Sequence, residues 1–142
     1  MDGEFTWPAP VRVSQDVPGN LFQALDAAGD SGGDVVAVWS DRRTGGTYSV
    51  YAQRLDTTGS KLWNPADIKV HPAGVINESD PRIAVDGSGR SFIVWEEAGD
   101  ILMNRLGSGG SPAWTDGVLV PLDAANSQSG AAIAVRNDIG VL

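Results

Sequence analysis

The sequence contains no cysteine, which excludes disulfides, thiolate metal sites and thiol chemistry. Basic residues are scarce: 10 Lys and Arg stand against 18 Asp and Glu, a formal net charge of −8. Nucleic acid and anionic membranes call for a basic surface, so neither is an expected partner. There is one histidine, His71. A catalytic triad or a histidine-based metal centre needs partners that no spacing places beside it, and His71 reads as structural. Long apolar runs are missing as well. Runs such as 35–39, VVAVW, are strand-sized and far short of the roughly 20 residues that span a bilayer. Met1 is followed by Asp2, Gly3 and Glu4, where a signal peptide carries basic and then apolar residues. The chain is expected to be soluble.

What is present suits an all-β fold. Hydrophobic residues make up 42% and charged residues 20% of 142 positions, enough apolar surface for one folded domain. The 18 Gly and 8 Pro supply tight turns. Helical periodicity is not sustained anywhere. The stretch LFQALDAAG (21–29) allows a helical turn or two, but its repeat partner PRIAVDGSG has the pattern of a strand, and the strand is expected.

The chain repeats itself. WPAPVRV (7–13), WNPADIKV (63–70) and WTDGVLV (114–120) each open on a tryptophan, and each tryptophan has a glycine four residues before it: Gly3, Gly59 and Gly110. Between these landmarks DVVAVWSD (34–41) matches SFIVWEE (91–97), and YSVYAQRL (48–55) matches DILMNRL (100–106). Short strands ending at Asp26 and Asp86 precede them, with a third copy, AIAVR, at 132–136. The unit is four antiparallel strands in about 50 residues, with turns rich in Gly, Asp and Ser. Such units in series are the sequence form of a β-propeller. The expected division is the last strand of a partial blade over 1–13, blades over 14–70 and 71–120, and the start of a further blade over 121–142. A closed propeller takes 4–8 blades. About two and a half blades make an incomplete propeller, so the chain is expected to be a fragment of a longer one or to assemble with copies of itself through open blade edges.

The segment VVAVWSDRR…YSVYAQRLDTTGSKLWN…IKV, followed by DPRIAVDGSGRSFIVWEEAGDILMNRL, resembles repeats of bacterial secreted and cell-surface propeller proteins. Their unit runs W-x-D-x-R, then a YAQRL-like strand, then D-x-x-G-x-x-x-W. The resemblance covers almost the whole chain. It implies a propeller, an extracellular or cell-surface location, and a binding or scaffold role. The Gly59–Trp63 spacing is also similar to the docking turn of quinoprotein repeats, although Asp56 lies one residue closer to the glycine than is usual there. The tighter Asp-box of sialidases is not matched.

Trp7, Trp63 and Trp114 recur at one repeat position and read as wedges between blades rather than sugar-stacking platforms; Trp39 and Trp95 read the same way. Asp56 with Gly59 reads as a turn. Arg54 and Arg105 recur and suggest a structural bridge. In DAAGDSGGD, the loop holding Asp26, Asp30 and Asp34 is read as four residues longer than its partner. Its oxygen ligands raise calcium as a candidate cofactor, but the spacing is not that of an EF-hand and a solvated loop is expected. Asp41, Arg42 and Arg43 are candidate ligand-binding residues, the arginines for a carboxylate or sulfate on a glycan. Glu96 and Glu97 end a strand and read as a solvated turn, and Asn77 heads a glycosylation triplet that occurs often by chance. No catalytic, cofactor-binding or metal-ligating residue is assigned. The expected function is therefore non-enzymatic: a binding or scaffold propeller segment whose ligand is a glycan or a protein. The alternatives are a non-catalytic stretch of a propeller enzyme (a quinoprotein dehydrogenase or a glycoside hydrolase) and a self-assembling strand-pairing module.

Overall fold

A computed structural model describes residues 7, 9–43, 45–120 and 127–136. Among them the chain forms eight strands and no helix. Strands β1 (Phe22–Gly29), β2 (Val35–Asp41), β3 (Ser49–Leu55) and β4 (Ile68–Lys69) make one antiparallel sheet in chain order. Strands β5 (Glu78–Val85), β6 (Ser91–Glu97), β7 (Asp100–Leu106) and β8 (Val118–Leu119) make a second. The two sheets stack without closing a ring.

Every residue of β3, and all of β2 after Val35, is buried. A sheet covered on both faces has no wet face to alternate with, which is why these strands read as nearly continuous Val, Ala, Trp and Tyr. On one face Val36, Val38, Val50 and Ala52 share a core with Ile83, Ile93, Trp95 and Leu106 of the second sheet. On the other face Ala37, Trp39 and Tyr51 pack with Val13. Trp39 and Trp95 hold the same register position, opposite Tyr51 and Leu102. The Trp95 face of the second sheet therefore meets the face of the first sheet that points away from Trp39. The sheets stack head to tail, a contact of the heterologous kind.

One five-residue turn occurs four times. At 30–34, 56–60, 86–90 and 107–111 the first amide donates to the fifth carbonyl and the fourth amide donates to the first carbonyl. The fourth residue is always glycine at positive φ: Gly33, Gly59, Gly89 and Gly110, between 73° and 89°. A side chain there would be strained. In three copies the first residue is Asp, whose Oδ1 accepts from the third and fifth amides: Gly32 and Asp34, Thr58 and Ser60, Ser88 and Arg90. Gly107 closes the fourth copy with backbone bonds alone.

These turns correct the expected repeat register. Asp30, not Asp26, is the counterpart of Asp86, because β1 continues past Asp26 and pairs Ala27, Ala28 and Gly29 with Ala37, Val36 and Val35. The two first turns are of equal length, so the loop expected to be four residues longer is not longer. A second recurrence supports this register. Ala24 and Asp80 have φ of 40° and 46° at the irregular point of β1 and β5, and Gly130 has φ of 71° at the matching place in the third copy.

No strand forms among the described residues of the segment expected as a last strand over 1–13, or at 132–135. Pro10, which lacks an amide donor, does not favour a ladder in the first of them. The tryptophan-led strands are shorter than expected, two residues each at β4 and β8. Residues 137–142, the end of the further blade expected over 121–142, and Gly3 lie outside the described residues.

Candidate functional site

Two tryptophans of the Gly-x-x-x-Trp motif, Trp7 and Trp63, dock on the glycine turn of the following unit, not on their own. Trp7 Nε1 donates to Thr57 O at 3.1 Å, and Trp63 Nε1 donates to Ser108 O at 2.8 Å. Thr57 and Ser108 are both the second residue of their turn. A β-carbon on Gly110 would lie 2.9 Å from the Trp63 ring, and one on Gly59 would lie 2.7 Å from Val11 and 3.6 Å from the Trp7 ring. The glycines thus let the indole lie flat on the backbone. Trp63 is 5% exposed, whereas Trp114, with no such seat among the described residues, is 37% exposed.

The segment that opens each following unit also docks in a repeated way. Glu78 N donates to Tyr48 O at 3.0 Å, and Gln128 N donates to Gly99 O at 2.6 Å. Tyr48 and Gly99 both stand just before the third strand of their sheet.

Arg54 works within and between sheets. Its Nε donates to Asp34 at 3.0 Å, its Nη2 pairs with Asp30, and its Nη1 donates to Gly89 O of the second sheet at 3.1 Å. Arg105, its counterpart, lies over the Trp114 ring at 5.8 Å. Asp30 and Asp34 therefore converge on a guanidinium, while Asp26 Oδ2 accepts from Ile83 N at 3.0 Å on the other sheet.

Sequence reasoning overlooked two buried amides. Gln53 Oε1 accepts from Trp63 N and Arg54 N while its Nε2 donates to Asn64 O. Asn104 Oδ1 accepts from Trp114 N and Arg105 N while its Nδ2 donates to Trp114 O and Val70 O. Both hold a tryptophan segment in place. The signal was a polar residue in mid-strand just before Arg in both third strands.

Asp41 and Arg43 are buried together. Arg43 Nη2 meets Asp41 Oδ2 at 2.5 Å and its Nη1 meets Asp67 Oδ2 at 3.0 Å, with Lys61 on the second Asp67 oxygen at 3.0 Å. The guanidinium carbon lies 3.8 Å from the centre of the Tyr51 ring, a cation–π contact. Trp39 Nε1 also donates to Asp41 Oδ2, at 2.8 Å. Burial pushes the Asp41 carboxyl up, but the bonds from Arg43 and Trp39 outweigh it and hold the carboxyl below the usual range. Arg42 is exposed and lies over Tyr48 at 5.6 Å.

The second sheet holds a cluster that the sequence reading left apart. His71 Nδ1 lies 3.1 Å from Glu78 Oε1 and 3.0 Å from Glu97 Oε2. His71 comes from the crossover between the sheets, Glu78 opens β5 and Glu97 ends β6. Glu78 is fully buried, and its Oε2 accepts from Val50 N at 2.6 Å. Burial pushes its carboxyl above the usual range, against the pull of that amide and of His71. Trp95 Nε1 donates to Glu97 Oε2 at 3.3 Å. Glu97 is thus not a solvated turn residue; Glu96, on the opposite face, accepts from Gly130 N at 2.6 Å.

No family model, curated protein or solved structure matches the chain.

One further surface is open. Val13, Phe22, Leu25 and Trp39 line an apolar groove of about 370 Å³ beside β1. Phe22 and Leu25 are 54% and 67% exposed. It lies on the Trp39 face of the first sheet, and the corresponding Trp95 face of the second sheet is packed against the first. The described residues contain no helix long and apolar enough to cross a membrane.

Proposed function

We propose that the chain is a run of β-propeller blades with a non-enzymatic binding or scaffold role at an extracellular or cell-surface location. The observation that carries this reading is the twice-used docking step, Trp7 on the 56–60 turn and Trp63 on the 107–111 turn. One contact repeated between successive units generates either a ring or a helix, and four-stranded units stacked face to face are what a ring of blades requires. The open groove beside β1 and the half-covered Trp114 are the two faces on which further units, of the same chain or of a second copy, would sit. Asp30, Asp34, Asp41, Asp67, Arg43 and Arg54 are spent on pairing with one another, which favours a structural role for these charges. Glycan or protein ligands would be read by the exposed loops, Arg42 among them.

The test extends the chain with tandem copies of residues 71–120 to a total of four to eight units. A closed ring should appear as a compact monomer by native mass and small-angle scattering, with Trp114 and its copies shielded from quencher. An open, elongated or heterogeneous product at every length would refute the blade reading. Turnover of glycosides or of alcohols with added quinone would refute the non-enzymatic one.

A further inference from the structure

We propose that His71, Glu78 and Glu97 bind a zinc-class divalent cation where the two sheets join. The inference rests on the cluster alone and does not depend on the propeller reading.

The donor set comes first. One imidazole nitrogen and two carboxylate oxygens are ligands that Zn²⁺ accepts, at metal–ligand distances of about 2.0–2.2 Å. Tetrahedral ligands at that distance stand about 3.3–3.6 Å from one another, a little further apart than the donor atoms do before a cation enters. Here Nδ1 lies 3.1 and 3.0 Å from the two oxygens, and the three atoms all fall within 4.8 Å. Ca²⁺ and Mg²⁺ favour six or more oxygens, which this set does not resemble.

Charge balance comes second. The side chains of His71, Glu78 and Glu97 are 7%, 0% and 13% exposed. Two carboxylates share one ring nitrogen, and a single Nδ1–H serves only one of them fully. The nearby amine, Lys69 Nζ, donates to Gly74 O at 2.6 Å instead. Buried carboxylates need a cation close by. In the first sheet Arg43 and Lys61 supply it to Asp41 and Asp67; among the described residues the Lys69 charge acts on Glu78 from a distance, but no Lys or Arg is ion-paired with Glu78 or Glu97.

The surroundings come third. Val50 N holds Glu78 Oε2 and leaves Oε1 toward the imidazole, while Trp95 Nε1 orients Glu97. Such outer partners are what fix metal ligands in place. Gly74 completes the cradle. Its backbone is not in the left-handed region, yet a β-carbon there would lie 2.0 Å from Glu78 Oε1 and 2.7 Å from His71 Nδ1. Glycine is needed at this position for space, and the space adjoins two of the three ligand atoms, Glu78 Oε1 and His71 Nδ1.

The experiment uses the full chain stripped with a chelator. Zn²⁺ titrated calorimetrically should bind one equivalent at micromolar affinity or better and raise the melting temperature. Co²⁺ should bind at the same site with visible d–d absorption. Glu97→Gln changes the most exposed ligand and preserves its shape; it should weaken Zn²⁺ binding about 10–100-fold or more while circular dichroism shows the fold intact. His71→Gln should do the same, and if it does not fold, Glu97→Gln alone decides. Native chain that takes up no Zn²⁺ at millimolar concentration would overturn the proposal. So would Glu97→Gln binding as tightly as the native chain, or Mg²⁺ and Ca²⁺ competing on equal terms.

Discussion

In the first sheet the carboxylate two residues beyond the strand tryptophan, Asp41, meets a guanidinium; in the second its counterpart, Glu97, meets an imidazole that it shares with a second carboxylate, Glu78. Both accept from the indole of that tryptophan. The backbone frame is the same, so the difference lies in the hairpin that follows. The longer β2–β3 hairpin carries Arg43 back over Tyr51, while Ala98–Gly99 turns β6 into β7 at once and brings no cation. A shared fold leaves the charge at this corner to be settled locally, by a fixed arginine in one sheet and by a histidine reaching in from the crossover in the other.

The comparison breaks first if the arginine is dispensable. Arg43→Met leaves Asp41 and Asp67 buried without their guanidinium and should cost about 3–5 kcal/mol in urea unfolding. Arg43→Lys should recover little, since one ammonium cannot span both carboxylates as Nη1 and Nη2 do. A carboxyl depressed in the fold stabilises it above the ordinary carboxylate range and loses that contribution as pH falls through its own lower value. Acid unfolding followed by tryptophan fluorescence should accordingly begin at higher pH in Arg43→Met than in the native chain.

Next come the two tryptophans at one repeat position. Trp63→Ala empties a seat between sheets and should cost about 3 kcal/mol, whereas Trp114→Ala should cost less than about 1 kcal/mol. Equal costs in chemical denaturation would mean that docking on the following turn contributes nothing. The buried amides should behave alike: Gln53→Leu and Asn104→Leu each strand backbone groups of a tryptophan segment, at about 2 kcal/mol apiece. The smallest effect sharpens the turn comparison. Gly107→Asp restores the missing side-chain acceptor and should raise stability by about 0.5 kcal/mol, read as a small increase in melting temperature.

Much of the architecture was legible in the residues. Val-rich runs ending in Trp39 and Trp95, and the Gly-x-x-x-Trp spacing, mark the units because both recur. The register of the first strand was not, because ALDAAGD (24–30) imitates IAVDGSG and offers two aspartates four residues apart, Asp26 and Asp30. Asp26-Ala-Ala-Gly and Asp30-Ser-Gly-Gly both fit D-x-x-G, and only the ladder separates them, since it carries β1 on through Gly29 and leaves the turn to Asp30. The destination of the docking tryptophans was hidden for a different reason: a repeat shows that Trp63 and Gly59 keep a fixed spacing, and the eye pairs them, although the indole rests on Gly110. His71, Glu78 and Glu97 come from three different elements and no local spacing links them. The one clue was period-two alternation, which puts Glu97 on the face of Trp95.

Docking on the following turn also imposes an order in time. The carbonyl that receives Trp7 is 50 residues further on, and the one that receives Trp63 is 45 residues further on. At synthesis rates of about 5–20 residues per second, each indole leaves the ribosome several seconds before its seat has been made. Every completed unit thus waits with a bare aromatic on its leading face, and it is the next unit to emerge, not the unit's own folding, that ends its exposure to chaperones and to neighbouring chains.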